Sequence, residues 1–201
     1  MYWYKTAKTL FGKCDNTNTV VCAMGSSGVM GDATSTTNPH CAASNKRISD
    51  LSSNGFNPDI IVCFIGCNNM GADAAIGNWK PQDGIPESTS TFREGYALML
   101  YKLQTTYTNA RIFCCTFLEE TSWREKTPGW PTNTDTNKIT KQYNDSIREI
   151  AHAFGCEIIE FATTGINYFT SSLYQQDGIH PNVAGQALLA NRLISDLMIK
   201  Y

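Results

Sequence analysis

At 201 residues with 42% hydrophobic content, the chain is long enough to bury a sizeable core as one ordinary globular domain. Its formal net charge of −2 gives no electrostatic case for nucleic acid or an anionic membrane surface as a partner. No apolar run approaches the roughly 18 residues that span a bilayer, and the first residues do not read as a signal peptide.

The chain opens on an amphipathic helical segment, Trp3–Leu10. Four apolar, β-rich runs follow at Thr19–Ala23, Asp59–Ile65, Ala110–Phe117 and Cys156–Phe161. Each is nearly continuous rather than alternating, the pattern of parallel strands covered on both faces. Three longer helices are predicted among and after them. Phe92–Tyr107 carries Tyr96, Met99, Leu100 and Leu103 at helical spacing. Asn137–Phe154 carries Ile139, Tyr143, Ile147, Ile150, Ala151 and Phe154, with Gly155 as its stop and His152 in a structural role. Val183–Ile199 carries Ala187, Leu188, Ile194, Leu197 and Met198. Strands alternating with helices imply an α/β domain around a central parallel sheet. No repeat or linker divides the chain, which reads as a single domain over residues 1–201.

The long polar segments Thr34–Asn45, Met70–Ser90 and Glu119–Thr136 follow strands. In open α/β sheets, loops at the carboxyl ends of strands bind ligands. Trp123 and Trp130 lie in the last of these loops, where they either stack on a sugar or line an apolar pocket, or pack onto the domain edge. Of the eight cysteines, Cys22, Cys63, Cys114, Cys115 and Cys156 fall in or beside strand-like runs. There cysteine behaves as a small hydrophobe, so most read as reduced and buried. No CxxC pair occurs, which argues against zinc.

The most informative stretch is Asp177-Gly178-Ile179-His180-Pro181-Asn182, which holds one of only three histidines. A carboxylate three residues before the imidazole, across a glycine turn, can reach the Nδ1 side and fix the tautomer a general base needs. Pro181 stiffens the backbone and Asn182 suits the N-cap of the next helix. Taken alone, the same spacing also describes an ordinary turn and cap. Two strand ends narrow the choice. Gly66-Cys67-Asn68-Asn69-Met70-Gly71 follows the second run and places side-chain amides at a sheet edge, where one can donate to an oxyanion. Gly25-Ser26-Ser27-Gly28 follows the first run, and a glycine N–H there can donate to the same charge.

In this order the chain resembles the SGNH hydrolase superfamily, also called GDSL esterases and lipases. Gly25–Gly28 resembles the second block of that family, with Gly28 as its oxyanion glycine. Ile65-Gly66-Cys67-Asn68-Asn69 resembles the third, which makes Asn68 the oxyanion asparagine. Asp177–Asn182 resembles the last block, whose DxxH supplies the triad acid and base. Asn57-Pro58-Asp59 and the helical Trp3–Leu10 are also typical, so the resemblance covers essentially the whole chain. It implies a three-layer flavodoxin-like α/β fold with a parallel sheet. The implied chemistry is hydrolysis of small acyl or carbohydrate-linked acetyl esters, with no cofactor or metal and with Trp123 and Trp130 as substrate contacts.

Two departures stand out. Asn69 occupies the place of the family's usual Asp, which touches a supporting hydrogen bond. The first block, Gly-Asp-Ser on the first strand, is missing, and with it the nucleophile, which is therefore unknown and is expected upstream of Met1. A cut there would also have removed any signal peptide, so the compartment stays open. Gly31-Asp32-Ala33 mimics the block with alanine for serine but stands in the wrong context. Ser26 and Ser27 sit in the oxyanion turn. Cys67 is expected to point away from the site by strand alternation, and His40 is expected to be solvated in its loop. In the family's usual 2-1-3-4-5 sheet order, the missing strand lies between those carrying Gly28 and Asn68. Its loss predicts an altered sheet or a homodimer that completes it. A non-catalytic carbohydrate-binding or interaction module is the alternative reading.

Overall fold

The computed structural model describes residues 1–118 and 134–200. Its elements in chain order are α1 (Tyr2–Phe11), α2 (Asn45–Asp50), β1 (Ile60–Cys63), α3 (Cys67–Gly71), α4 (Phe92–Thr106), β2 (Arg111–Cys115), α5 (Thr134–Ala153), β3 (Glu157–Ile159), α6 (Ser171–Tyr174) and α7 (Val183–Lys200). The architecture is mixed α/β around a three-stranded parallel sheet of order β1-β2-β3. Ile60, Ile61, Val62 and Cys63 stand opposite Arg111, Ile112, Phe113 and Cys114. Among the described residues, no helix is long and apolar enough to cross a membrane.

The chain clusters into two compact units: residues 1–19, 116–141 and 159–201 form one, and residues 20–115 with 142–158 form the other. In the second unit β2 is buried on both faces from Ile112 to Cys115, whereas β1, at the sheet edge, buries Ile61 and Cys63 and leaves Ile60 and Val62 half-buried. Helix α4 starts at a reciprocal capping box, in which Thr91 and Glu94 satisfy each other's backbone N–H groups. Its expected face is buried, at Tyr96, Met99, Leu100 and Leu103, and Phe92 packs edge-on to Tyr143 of α5 at 4.7 Å. A Cβ at Gly95 would lie 2.8 Å from the Val29 carbonyl carbon, so a glycine is needed for α4 to lie against that backbone. Lys102 fixes the same region by donating to the carbonyls of Ala33 (2.7 Å) and Ala43 (2.9 Å) and to Oδ1 of Asn45 (2.8 Å).

In the first unit, α1 packs along α7 and the Tyr2 N–H donates to Oε1 of Gln186 at 2.8 Å. The buried stripe of α7 is Leu189, Ala190, Leu193 and Leu197, not the set expected from periodicity. Of that set only Leu197 is buried, while Ala187, Leu188 and Ile194 are half-buried and Met198 is exposed. Residues 187, 188, 194 and 198 are apolar too, so hydrophobicity alone did not define one stripe on this helix.

A larger correction concerns Thr19–Ala23. It is not a strand; residues 19–24 carry no regular structure, and Val21 and Met24 are exposed. β-propensity is realised only through a ladder with a neighbour, and among the described residues none pairs with this run. All eight cysteines lie among the described residues and none forms a disulfide. Cys41, Cys63, Cys114 and Cys115 are buried, and Cys22 and Cys156 are half-buried. A hydrogen bond with Cys114, followed by burial, pushes the Cys156 thiol well up.

Candidate active site

Asp177 and His180 sit on a short antiparallel ribbon that enters α7. Gln175 and Pro181 form its bridge, the Asn182 N–H donates to the Tyr174 carbonyl (2.9 Å), and the Gln176 N–H donates to the His180 carbonyl (2.9 Å). The turn closes through Gly178 at φ 78°, a left-handed conformation that glycine adopts at little cost. Oδ1 of Asp177 accepts the backbone N–H groups of Ile179 (3.0 Å) and His180 (2.7 Å). Its other oxygen, Oδ2, lies 2.7 Å from Nδ1 of the His180 ring. One carboxylate thus shapes the turn and orients the imidazole together. The His180 backbone N–H, and then its ring, hold the Asp177 carboxyl at about 2, below its ordinary 3.8.

The ribbon is held from both sides. Asn182 caps α7 by accepting the Gly185 N–H (3.0 Å) and donates from Nδ2 to the Leu173 carbonyl (2.9 Å). A Cβ at Gly185 would lie 3.1 Å from Cβ of Pro181 and 3.2 Å from the Tyr174 carbonyl carbon, so α7 can start this close only with glycine there. The imidazole itself is open, at 63% side-chain exposure. Nε2, the nitrogen that would move protons, has no hydrogen-bond partner among the described residues. With Nδ1 turned to a carboxylate, the neutral ring carries its proton there and leaves Nε2 as the acceptor.

The second cluster is in the other compact unit, after β1. Gly66 turns the chain at φ 110° and α3 begins at Cys67, which places Asn68 and Asn69 on a helix rather than on extended backbone. The alternation that would turn Cys67 away from Asn68 therefore does not apply, because successive helical residues differ by about 100°. Nδ2 of Asn68 donates to the Ser27 carbonyl (2.8 Å), and Oδ1 of Asn69 accepts the Val29 N–H (2.8 Å). Two adjacent amides thus hold the backbone on either side of Gly28. A Cβ at Gly28 would lie 2.8 Å from Cγ of Asn69, so this position also needs glycine. Asparagine at 69 thus makes a supporting hydrogen bond through its amide oxygen.

The Gly28 N–H is already engaged: it donates to the His40 carbonyl at 3.2 Å, while the Gly28 carbonyl accepts from Ala42 at 2.8 Å. Asn68 keeps a second N–H with no partner among the described residues. Ser27 is buried and donates its hydroxyl to the Met24 carbonyl (2.8 Å), which ties that oxygen into the turn. The His40 side chain is exposed, and its backbone carbonyl is the part that matters here. Trp123 and Trp130 lie outside the described residues. Sequence reasoning missed the roles of Asn69 and of the His40 carbonyl. The paired asparagines were visible, but nothing local says which backbone groups they meet. Among the described residues, no group of three or more His, Cys, Asp or Glu side chains could hold a metal ion.

The sequence matches the GDSL-like Lipase/Acylhydrolase family over residues 8–188, and the chain belongs to that family. Among solved structures it is similar to a protein from Lactobacillus plantarum, with 22% identity, 71% of this chain and 68% of that chain covered, and a TM-score of 0.59. It is also similar to a protein described as a GDSL-like lipase from Bacteroides uniformis, with 23% identity, 87% and 66% covered, and a TM-score of 0.56. The acetyl xylan esterase AlAXEase aligns at 18% identity over 87% of this chain and 78% of that one, with a TM-score of 0.55. These likenesses establish the shared SGNH hydrolase fold. A search of curated proteins found no match.

Proposed function

We propose that this chain carries the base and the oxyanion donors of a serine ester hydrolase acting on small acyl esters, including acetyl groups on carbohydrate. The observation that supports it most is the 2.7 Å pairing of Asp177 Oδ2 with His180 Nδ1, made by a carboxylate whose other oxygen is fixed by two backbone N–H groups. In the proposed reaction, Nε2 of His180 takes the proton from a serine hydroxyl as its oxygen attacks the ester carbonyl. It then gives that proton to the departing alcohol oxygen, and a water repeats the cycle on the acyl-enzyme. Asp177 keeps the ring in the required tautomer and stabilises the imidazolium. Asn68 donates its remaining N–H to the tetrahedral oxyanion, an effect worth on the order of 3 kcal/mol for one such donor. Gly28 is the second proposed donor, and in that role its N–H exchanges the His40 carbonyl for the oxyanion. Trp123 and Trp130 are proposed sugar contacts.

The nucleophile is proposed to be the serine of a Gly-Asp-Ser block outside residues 1–201, since no such block occurs within them. Among the described residues the apolar run Thr19–Ala23 has no ladder and β1 lies at the sheet edge, and both are suited to a further strand, carried by that block or by a second copy of the chain. The absent block also favours a second reading, a non-catalytic module that binds carbohydrate. Hydrolysis of 4-nitrophenyl acetate separates the two, measured for residues 1–201 alone and joined to a Gly-Asp-Ser strand. Turnover that disappears in His180→Ala supports the hydrolase. No turnover in either form, with oligosaccharide binding retained, supports the module.

A further inference from the structure

Two consecutive glutamines precede Asp177, and the bridge between Gln175 and Pro181 sends them to opposite sides of the ribbon. Gln175 is buried and satisfied at both ends of its carboxamide. Oε1 accepts the Ser171 hydroxyl at 2.7 Å, and Nε2 donates to the Ile179 carbonyl at 3.3 Å. Gln176 faces the other way. It stands directly across the ribbon from His180, bonded to it through the backbone at 2.9 Å. Residues opposite each other on such a ribbon leave it on one face with Cβ atoms about 5 Å apart. The Gln176 side chain is exposed, and its carboxamide has no hydrogen-bond partner among the described residues. The face that presents Nε2 of His180 therefore presents beside it an amide with a free donor and a free acceptor.

We propose that Gln176 is a specificity-determining residue that hydrogen-bonds a hydroxyl on the alcohol part of the ester, so that the site prefers esters of sugars or polyols to those of simple alkyl or aryl alcohols. The inference rests on the reading of His180 as the base. The imidazole hands its proton to the departing alcohol oxygen, so a group beside the imidazole lies on the leaving-group side. A sugar offers a hydroxyl next to its ester oxygen that can both donate and accept, and an amide matches it in either sense. An aryl or simple alkyl alcohol offers no such hydroxyl.

The test is an NMR titration of the 201-residue chain with unesterified xylotriose, following the side-chain amide of Gln176 and the His180 ring. The expected result is movement of both signals, with affinity about fivefold weaker in Gln176→Ala, the effect of one exposed hydrogen bond. Unchanged affinity in Gln176→Ala, or no saturable binding by the wild-type chain, overturns the proposal. In the form joined to a Gly-Asp-Ser strand, Gln176→Ala should raise KM for acetylated xylotriose about fivefold and leave kcat/KM for 4-nitrophenyl acetate unchanged. An equal loss on both substrates would mark a structural role and also overturn it. Absence of turnover by the wild type counts against the hydrolase reading alone and leaves the binding comparison to decide Gln176.

Discussion

The Asp177–His180 ribbon and the Ser27–Val29 segment both hold catalytic candidates, but they are ordered over different distances along the chain. The ribbon is held by hydrogen bonds made within residues 171–185. The Ser27–Val29 segment is held by Asn68 and Asn69 across separations of 41 and 40 residues. A carboxylate that shapes its own turn orients its histidine as soon as that turn forms. An oxyanion strap that depends on amides 40 residues away exists only once β1 and α3 are in place. The base should therefore tolerate damage elsewhere in the chain, and the oxyanion donors should not.

That contrast can be tested by substitution, and among changes to the groups around Gly28 Asn68→Ala should have the largest effect. It is expected to lower kcat in the catalytically complete form by about 10²–10³, with the Asp177–His180 pairing intact by NMR. Gly28→Ala comes next. Its Cβ would press on the Asn69 side chain, at an expected cost of about 1–3 kcal/mol in urea unfolding, whereas an exposed substitution such as Val183→Ala should change little. Asn69→Leu should cost about 1–3 kcal/mol by leaving the Val29 N–H without its acceptor, while Asn69→Asp keeps an acceptor and should be milder.

The smallest effect concerns acid. The Asp177 carboxyl is depressed in the folded chain to about 2 from 3.8, so its contribution to stability is fully present above pH 3.8. That contribution is lost as the pH falls through about 2, because protonation removes the acceptor. The largest cause is the backbone N–H of His180 rather than the ring. Titration of Asp177 by NMR in His180→Ala should therefore still give a depressed value. A return to 3.8 would mean that the ring, not the turn, sets the carboxylate.

The helices were largely legible because capping and apolar spacing are local signals. Phe92–Tyr107 and Val183–Ile199 match α4 and α7 to within a residue at each end. The Asp-x-x-His geometry was legible for the same reason. Thr19–Ala23 was not, since β-propensity names a candidate strand and only a partner makes one. The buried stripe of α7 was misread because too many of its positions are apolar. Strand alternation gave no guide to Cys67, because a helix starts there, immediately after Gly66. Asn69 could be flagged only as a departure from the family pattern; its bond to Val29 needs the folded chain.

The central claim is that Asp177 and His180 act as one unit, the base and the group that orients it. The direct measurement is 4-nitrophenyl acetate turnover by the form joined to a Gly-Asp-Ser strand, for wild type, His180→Ala and Asp177→Asn. His180→Ala is expected to abolish turnover and Asp177→Asn to lower kcat by about 10⁴, because an amide can stabilise the wrong tautomer in unchanged geometry. Wild-type turnover in Asp177→Asn would contradict the central claim, leaving Asp177 as a turn residue and His180 without an orienting partner.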